Sequence, residues 1–135
     1  MQPSGLTDAI SEEEDLARFL ASSSQFNRIG IKPSAFLPNP VNRETSVFRH
    51  GSEPRESLWR IGTEHVAGAR TLHGAALFKA KHVRSALLDV VPREPPPRHA
   101  NVVGWPWSDV DPEMAKAERK ERAALIARHA ELIRR

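Results

Sequence analysis

Arg70–Trp107, RTLHGAALFKAKHVRSALLDVVPREPPPRHANVVGWPW, holds the densest strand-like apolar runs of the chain, and its reading decides the fold. Thr71 to Ala80 has one glycine and no proline. Its Leu72, Ala75, Leu77 and Phe78, with Lys79 set between apolar neighbours, predict a strand. Lys81 to Ala86 reads as a turn or a single helical turn. Leu87 to Val91, ended by Pro92, reads as a second strand, and His99 to Gly104 as a third. Between them Pro95-Pro96-Pro97 is a stiff extended connector that excludes a two-residue hairpin. Upstream, Glu44 to Arg49 (ETSVFR) carries β-branched and aromatic residues in a row and predicts a fourth strand.

Helices are expected on either side of these strands. Ser11-Glu-Glu-Glu14 has the form of a capping box, in which a Ser hydroxyl accepts from the third amide of a helix and a Glu reaches back. A short acidic helix over 12–21 follows, with Leu16, Phe19 and Leu20 at helical spacing. Gly30, Pro33, Pro38 and Pro40 keep 26–51 free of long helices, and Ile29 and Ile31 fit a brief strand. Ser52 as cap and Pro54 near the first turn predict a middle helix to about Val66, stopped by Gly68, although Gly62 weakens its interior. Asp111-Pro112-Glu113 opens a long C-terminal helix that the apolar stripe carries to about Ile133. The predicted fold class is α+β. A small antiparallel or mixed sheet of about four strands packs against the long C-terminal helix, with the middle helix and the short acidic N-terminal helix beside it.

The 135 residues, 39% hydrophobic and 27% charged, match a single domain over 11–135 preceded by a flexible leader over 1–10. The chain has no cysteine, which excludes disulfides, thiolate metal sites and a Cys nucleophile. Neither a secretory signal nor an apolar run of about 20 residues is present, so a soluble cytoplasmic protein with no membrane partner is expected. Charge is segregated. Met1–Ala21 has five acids against one base, and Ser22–Val110 has twelve bases against seven acids. Such a balance suits an anionic partner, or docking of the acidic segment on the protein's own basic face.

Three constellations could carry chemistry. His73, His82 and His99 fall on or beside adjacent predicted strands, but no HxxxH or HExxH spacing supports a metal, and none is expected. His82 and His99 are the catalytic candidates: either could move protons on a phosphodiester while Lys79, Lys81, Arg84 or Arg98 holds the developing charge. Trp105 and Trp107, beside Arg98 and His99, could stack on bases or bury against a partner. The binding candidates are completed by Arg49 and His50 beside the Gly51 turn, His73 and Asn101. No Gly-rich phosphate loop or GxSxG elbow occurs, and no cofactor is expected. The reading is a protein-interaction module or accessory subunit with a protein partner, rather than a free-standing enzyme. The alternative is a nucleic-acid-binding protein, or a metal-independent nucleic-acid-cleaving one, that uses the basic and histidine residues of the central stretch.

Overall fold

Six strands, rather than about four, form the sheet. The computed structural model describes residues 4–51 and 53–135, so Ser52, the expected helix cap, and the first three residues of the expected leader lie outside the described residues. In chain order the elements are β1 (Asp15–Leu20), β2 (Thr45–Arg49), α1 (Arg55–Gly62), β3 (Gly74–Lys79), α2 (Ala80–Ser85), β4 (Asp89–Pro92), β5 (His99–Val103), α3 (Pro112–His129) and β6 (Glu131–Arg134). The strand order is β4-β5-β2-β1-β3-β6, and every neighbouring pair is antiparallel. The fold is α+β with a C-terminal helix, and no helix among the described residues is long and apolar enough to cross a membrane.

Both additional strands come from segments that the sequence presents as helical. Leu16, Phe19 and Leu20 do stand at helical spacing, but Ala17 is buried as well, so apolar groups point to both sides of the chain. A strand in the middle of a sheet covered on both faces satisfies that pattern, and a surface helix does not. β1 lies between β2 and β3, pairing Leu16 with Arg49 and with Phe78. The expected capping box is a single turn, closed by the Glu14 amide on the Ser11 carbonyl. At the other terminus α3 ends at His129, Ala130 turns extended, and Glu131–Arg134 becomes an edge strand on β3. A glycine at position 74 permits this: a Cβ there would lie 2.3 Å from the Ile133 carbonyl oxygen.

Each face of the sheet has its own core. On one face α2, α3 and the 3-10 turn Pro33–Phe36 cover Leu16, Leu20, Val47, Phe78 and Val102, and the Phe36 and Phe78 rings meet edge-on at 5.2 Å. Fully buried side chains such as Leu16, Leu20 and Phe36 each contribute about 1.5–3 kcal/mol. On the opposite face α1, continued by one π-helical turn over Thr63–Ala67, covers Ala17, Phe19, Phe48 and Ala75. Gly62 in α1 is explained by this contact, because a Cβ there would press on the Phe19 ring at 2.7 Å.

Two local features position the site described next. β1 and β2 pair only at Leu16–Arg49 and Ala17–Phe48. Beyond these the Arg18 guanidinium takes up the carbonyls that the splayed strands leave over, with Nε on the Ala35 oxygen and Nη1 on the Ser46 oxygen, both at 2.9 Å. On its other side β2 is paired with β5 over its length, Ser46 opposite Asn101 and Phe48 opposite His99. Toward β5 and β4 the α1 face is open, with Ser46 and Asp89 exposed and Val91, His99 and Val103 half-buried.

Candidate functional site

The basic residues singled out in the sequence are brought together, but against carboxylates. Lys79 Nζ donates to Asp15 at 3.0 Å, and Lys81 Nζ to Glu13 at 3.1 Å. Arg84 donates to Glu12 at 2.8 Å, to Asp89 at 3.1 Å and to the Ile10 carbonyl at 2.7 Å. Arg49, with its side chain almost wholly buried, forks onto Glu14 and also donates to the Thr7 carbonyl. The bond to Asp15 raises the Lys79 ammonium above its ordinary value, and the bond to Glu12 does the same for Arg84. The acidic N-terminal segment therefore docks on the protein's own cations. Ser4 adds a backbone bond to Glu94 at 2.8 Å, so contacts run along residues 4–15.

The histidines do not share one cleft. His82, on α2, stacks on His129 at the end of α3, with rings nearly parallel and centroids 4.2 Å apart. Burial, then His129 and Lys81, push His82 below the usual imidazole range. His73 lies against the Phe26 ring at 5.6 Å. His50 is pushed down by burial, against the pull of Asp15, and its Nδ1 is buried with no partner among the described residues. Arg98 clamps that turn, donating to the Arg49 and His50 carbonyls and to Glu53. Among the described residues no group of three or more His, Asp or Glu is placed to hold a metal ion.

His99 stands apart on the opposite face from His82, and its ring is held at both nitrogens. Nδ1 lies 2.8 Å from the Arg93 carbonyl oxygen, and Nε2 lies 2.8 Å from Ser46 Oγ. A carbonyl only accepts, so Nδ1 carries the hydrogen and the Nε2 lone pair faces the serine hydroxyl. The Phe48 ring packs on the imidazole at 5.2 Å, and His65, from the π-helical turn, stacks on the far side of this row at 6.5 Å from Phe48. Asn101, directly across from Ser46 and 7% exposed, donates Nδ2 to Glu44 at 2.7 Å, while its Oδ1 is buried with no partner among the described residues. A cavity of about 220 Å³ adjoins Ser46 and is lined also by Arg18, Leu37, Asn39, Asn42, Glu44 and Thr45.

The tryptophans divide. Trp105 is 7% exposed and closes the core under α3, its indole N–H buried with no acceptor among the described residues. Trp107 is half-buried between two guanidinium groups, Arg119 at 3.9 Å and Arg43 at 4.7 Å from its ring centroid. This stack joins the loop before β2 to α3, and Arg119 fixes it by donating to the Pro106 carbonyl at 2.9 Å.

Ser46, Arg18 and Glu44 were not singled out by sequence reasoning. The alternation of ETSVFR separates Thr45, Val47 and Arg49 from Glu44, Ser46 and Phe48, which was the available signal. The β2–β5 register that sets Ser46 beside His99 is long-range and is not written in either segment. No protein-family model, curated protein or solved structure matches the chain.

Proposed function

We propose that the protein is an interaction module, an accessory subunit that docks a partner protein at the corner where the loop before β2 meets the start of α3. The observation that carries this reading is the exposure of large apolar side chains around the Arg43–Trp107–Arg119 stack. Val41 is 91% exposed, Val110 96% and Met114 59%. Each lies within five residues of a member of the stack. Trp, Arg and Met are the side chains enriched at interface centres, where a preordered aromatic anchor gains contact area at little entropic cost. The two arginines hold Trp107 in place before a partner arrives, so less side-chain freedom is lost on binding. A partner segment with an apolar centre and acidic flanks complements Val41, Val110 and Met114 between the two guanidinium groups.

A photo-crosslinking amino acid at position 110 of the full chain tests this in cell extract. It should yield one discrete adduct that disappears with Trp107→Ala, whereas the same probe at position 60, on α1, should not yield it. Identical adducts from both positions, or none from position 110, refute the docking corner.

A further inference from the structure

The Ser46–His99 contact, between β2 and β5, has the parts of a nucleophile with its base. We propose that Ser46 and His99 form an acyl-transfer pair that hydrolyses small esters bearing a carboxylate.

The geometry supports each role separately. Ser46 Oγ is 2.8 Å from His99 Nε2, within direct proton-transfer reach, and it sits on an exposed strand position that a substrate can approach. The base is oriented by a third group, the Arg93 carbonyl at 2.8 Å from Nδ1, which fixes the tautomer with Nε2 free to accept. Phe48 on one side of the imidazole and β5 beneath it restrict its rotation. The serine therefore meets a correctly turned base without any rearrangement of the sheet.

Asn101 supplies a donor for the developing negative charge. It is the direct cross-strand partner of Ser46, so their Cβ atoms are about 5 Å apart on the same face. Its Nδ2 has one hydrogen on Glu44 and a second that makes no bond among the described residues. The bond to Glu44 sets the amide's orientation, so the donor is in place before the oxyanion forms.

Arg18 and the cavity define the substrate class. The cavity of about 220 Å³ that adjoins Ser46 is smaller than the ~300 Å³ at which drug-sized ligand sites begin, so it takes a short acyl or alcohol portion. Arg18 reaches it from the α3 face, where β1 and β2 part, with Nη1 on the Ser46 backbone carbonyl, and makes no ion pair among the described residues. Its Nε and Nη1 are held by carbonyls, and Nη2 makes no bond among the described residues. Burial, then the charge of Arg70, press it below its ordinary value. A half-buried cation without a carboxylate is poised to take one from a ligand.

The reaction balances without a further reagent. Ser46 Oγ attacks the ester carbonyl carbon while its proton passes to His99 Nε2, and the carbonyl oxygen takes the negative charge beside Asn101. Collapse breaks the ester C–O bond, and the departing alkoxide takes the proton from Nε2 to leave as the alcohol. Water then gives a proton to Nε2 and attacks the acyl carbon. Breaking the bond to Ser46 Oγ releases the acid and returns the proton to the serine.

The test begins with the unmodified full chain. A fluorophosphonate probe should form an adduct mapped by mass spectrometry to Ser46, and His99→Gln should reduce the labelling rate at least tenfold while the circular dichroism spectrum is unchanged. Monomethyl succinate should be hydrolysed at least tenfold faster than ethyl acetate, and Arg18→Gln should abolish that preference. No adduct on Ser46 of the wild-type protein, or labelling indifferent to His99→Gln, overturns the nucleophile pair. Equal turnover of the two esters overturns the carboxylate specificity.

Discussion

At the β3–α2 end of the molecule Lys79, Lys81 and Arg84 each lie against a carboxylate, whereas on the open β2–β5 face Ser46 bonds His99 and stands across the strands from Asn101. The first region holds most of the basic residues that draw attention in the sequence, and its charges are answered by the acids at 12–15. The second holds a hydroxyl aligned with an imidazole and a buried amide oxygen that has no partner among the described residues. A run of cations is therefore a poor guide to a binding surface when an acidic segment elsewhere in the chain can lie on it. Unfilled bonding capacity at a fixed position is a better one.

The largest effect should come from breaking the paired region at its most buried point. Arg49 has a side chain 3% exposed and Glu14 one 18% exposed, so Glu14→Ala leaves a charge with little water to solvate it. Stability should fall by about 3 kcal/mol, the low end for removing one partner of a buried pair. The double variant Glu14→Leu/Arg49→Met should recover most of that loss, because neither charge then needs solvation. Urea denaturation measures both. A Glu14→Ala cost no greater than that of Glu12→Ala, whose carboxylate is 62% exposed, would contradict the contrast.

A gentler change sharpens the same comparison. Replacing Glu12, Glu13 and Asp15 with Gln, Gln and Asn removes exposed partners, each worth about 0–1 kcal/mol, and leaves the fold intact. Lys79 and Lys81 are then free to meet phosphate, while Arg84 keeps Asp89. The variant should bind duplex DNA more tightly than wild type, and its slope of log affinity against log salt should be steeper by about −1.8, the value for two phosphate contacts. Fluorescence anisotropy between 50 and 200 mM salt, about one Debye-length regime to the next, provides the readout. Equal affinities would mean that the acids do not mask these cations.

The parts of this arrangement that could be read from the chain were those governed by local rules. Asp111-Pro112-Glu113 does start a helix, with Asp111 capping the Met114 amide, and the strands over ETSVFR, GAALFK and HANVV lie in the segments read as strands. The strand at 15–20 was hidden because Leu16, Phe19 and Leu20 fit a helical face, and only burial from both sides distinguishes the two. Leu132 and Ile133 likewise prolong the stripe of α3, although Ala130 ends the helix and Ile133 is buried on the sheet edge. His99 and Asn101 were among the candidates singled out from the sequence. Ser46 was not, since an isolated serine at an outward strand position acquires meaning only from the cross-strand pairing that brings His99 to it.

The smallest effect concerns the stacked imidazoles of His82 and His129, the place in the paired region where like groups meet. Burial, His129, Lys81 and Lys79 hold His82 below its ordinary value, and Glu13 alone opposes them. Between that lowered value and about 6.5, where the unfolded chain titrates, the unfolded state binds more protons than the native one. Stability contributed by neutral His82 is therefore complete above pH 7 and declines as the pH falls through 6.5 toward the native value. His50, also pushed down by burial, adds a slope of the same sign, so His82→Gln should lessen the acid-side decline without abolishing it. Thermal unfolding midpoints recorded from pH 5 to 8 give the slope. His73→Gln at the other end of β3 controls for loss of an imidazole as such. A slope unchanged in His82→Gln, or lessened equally in His73→Gln, would show that the stacked pair carries no proton linkage, and that the β3–α2 end is governed by its carboxylate pairs alone.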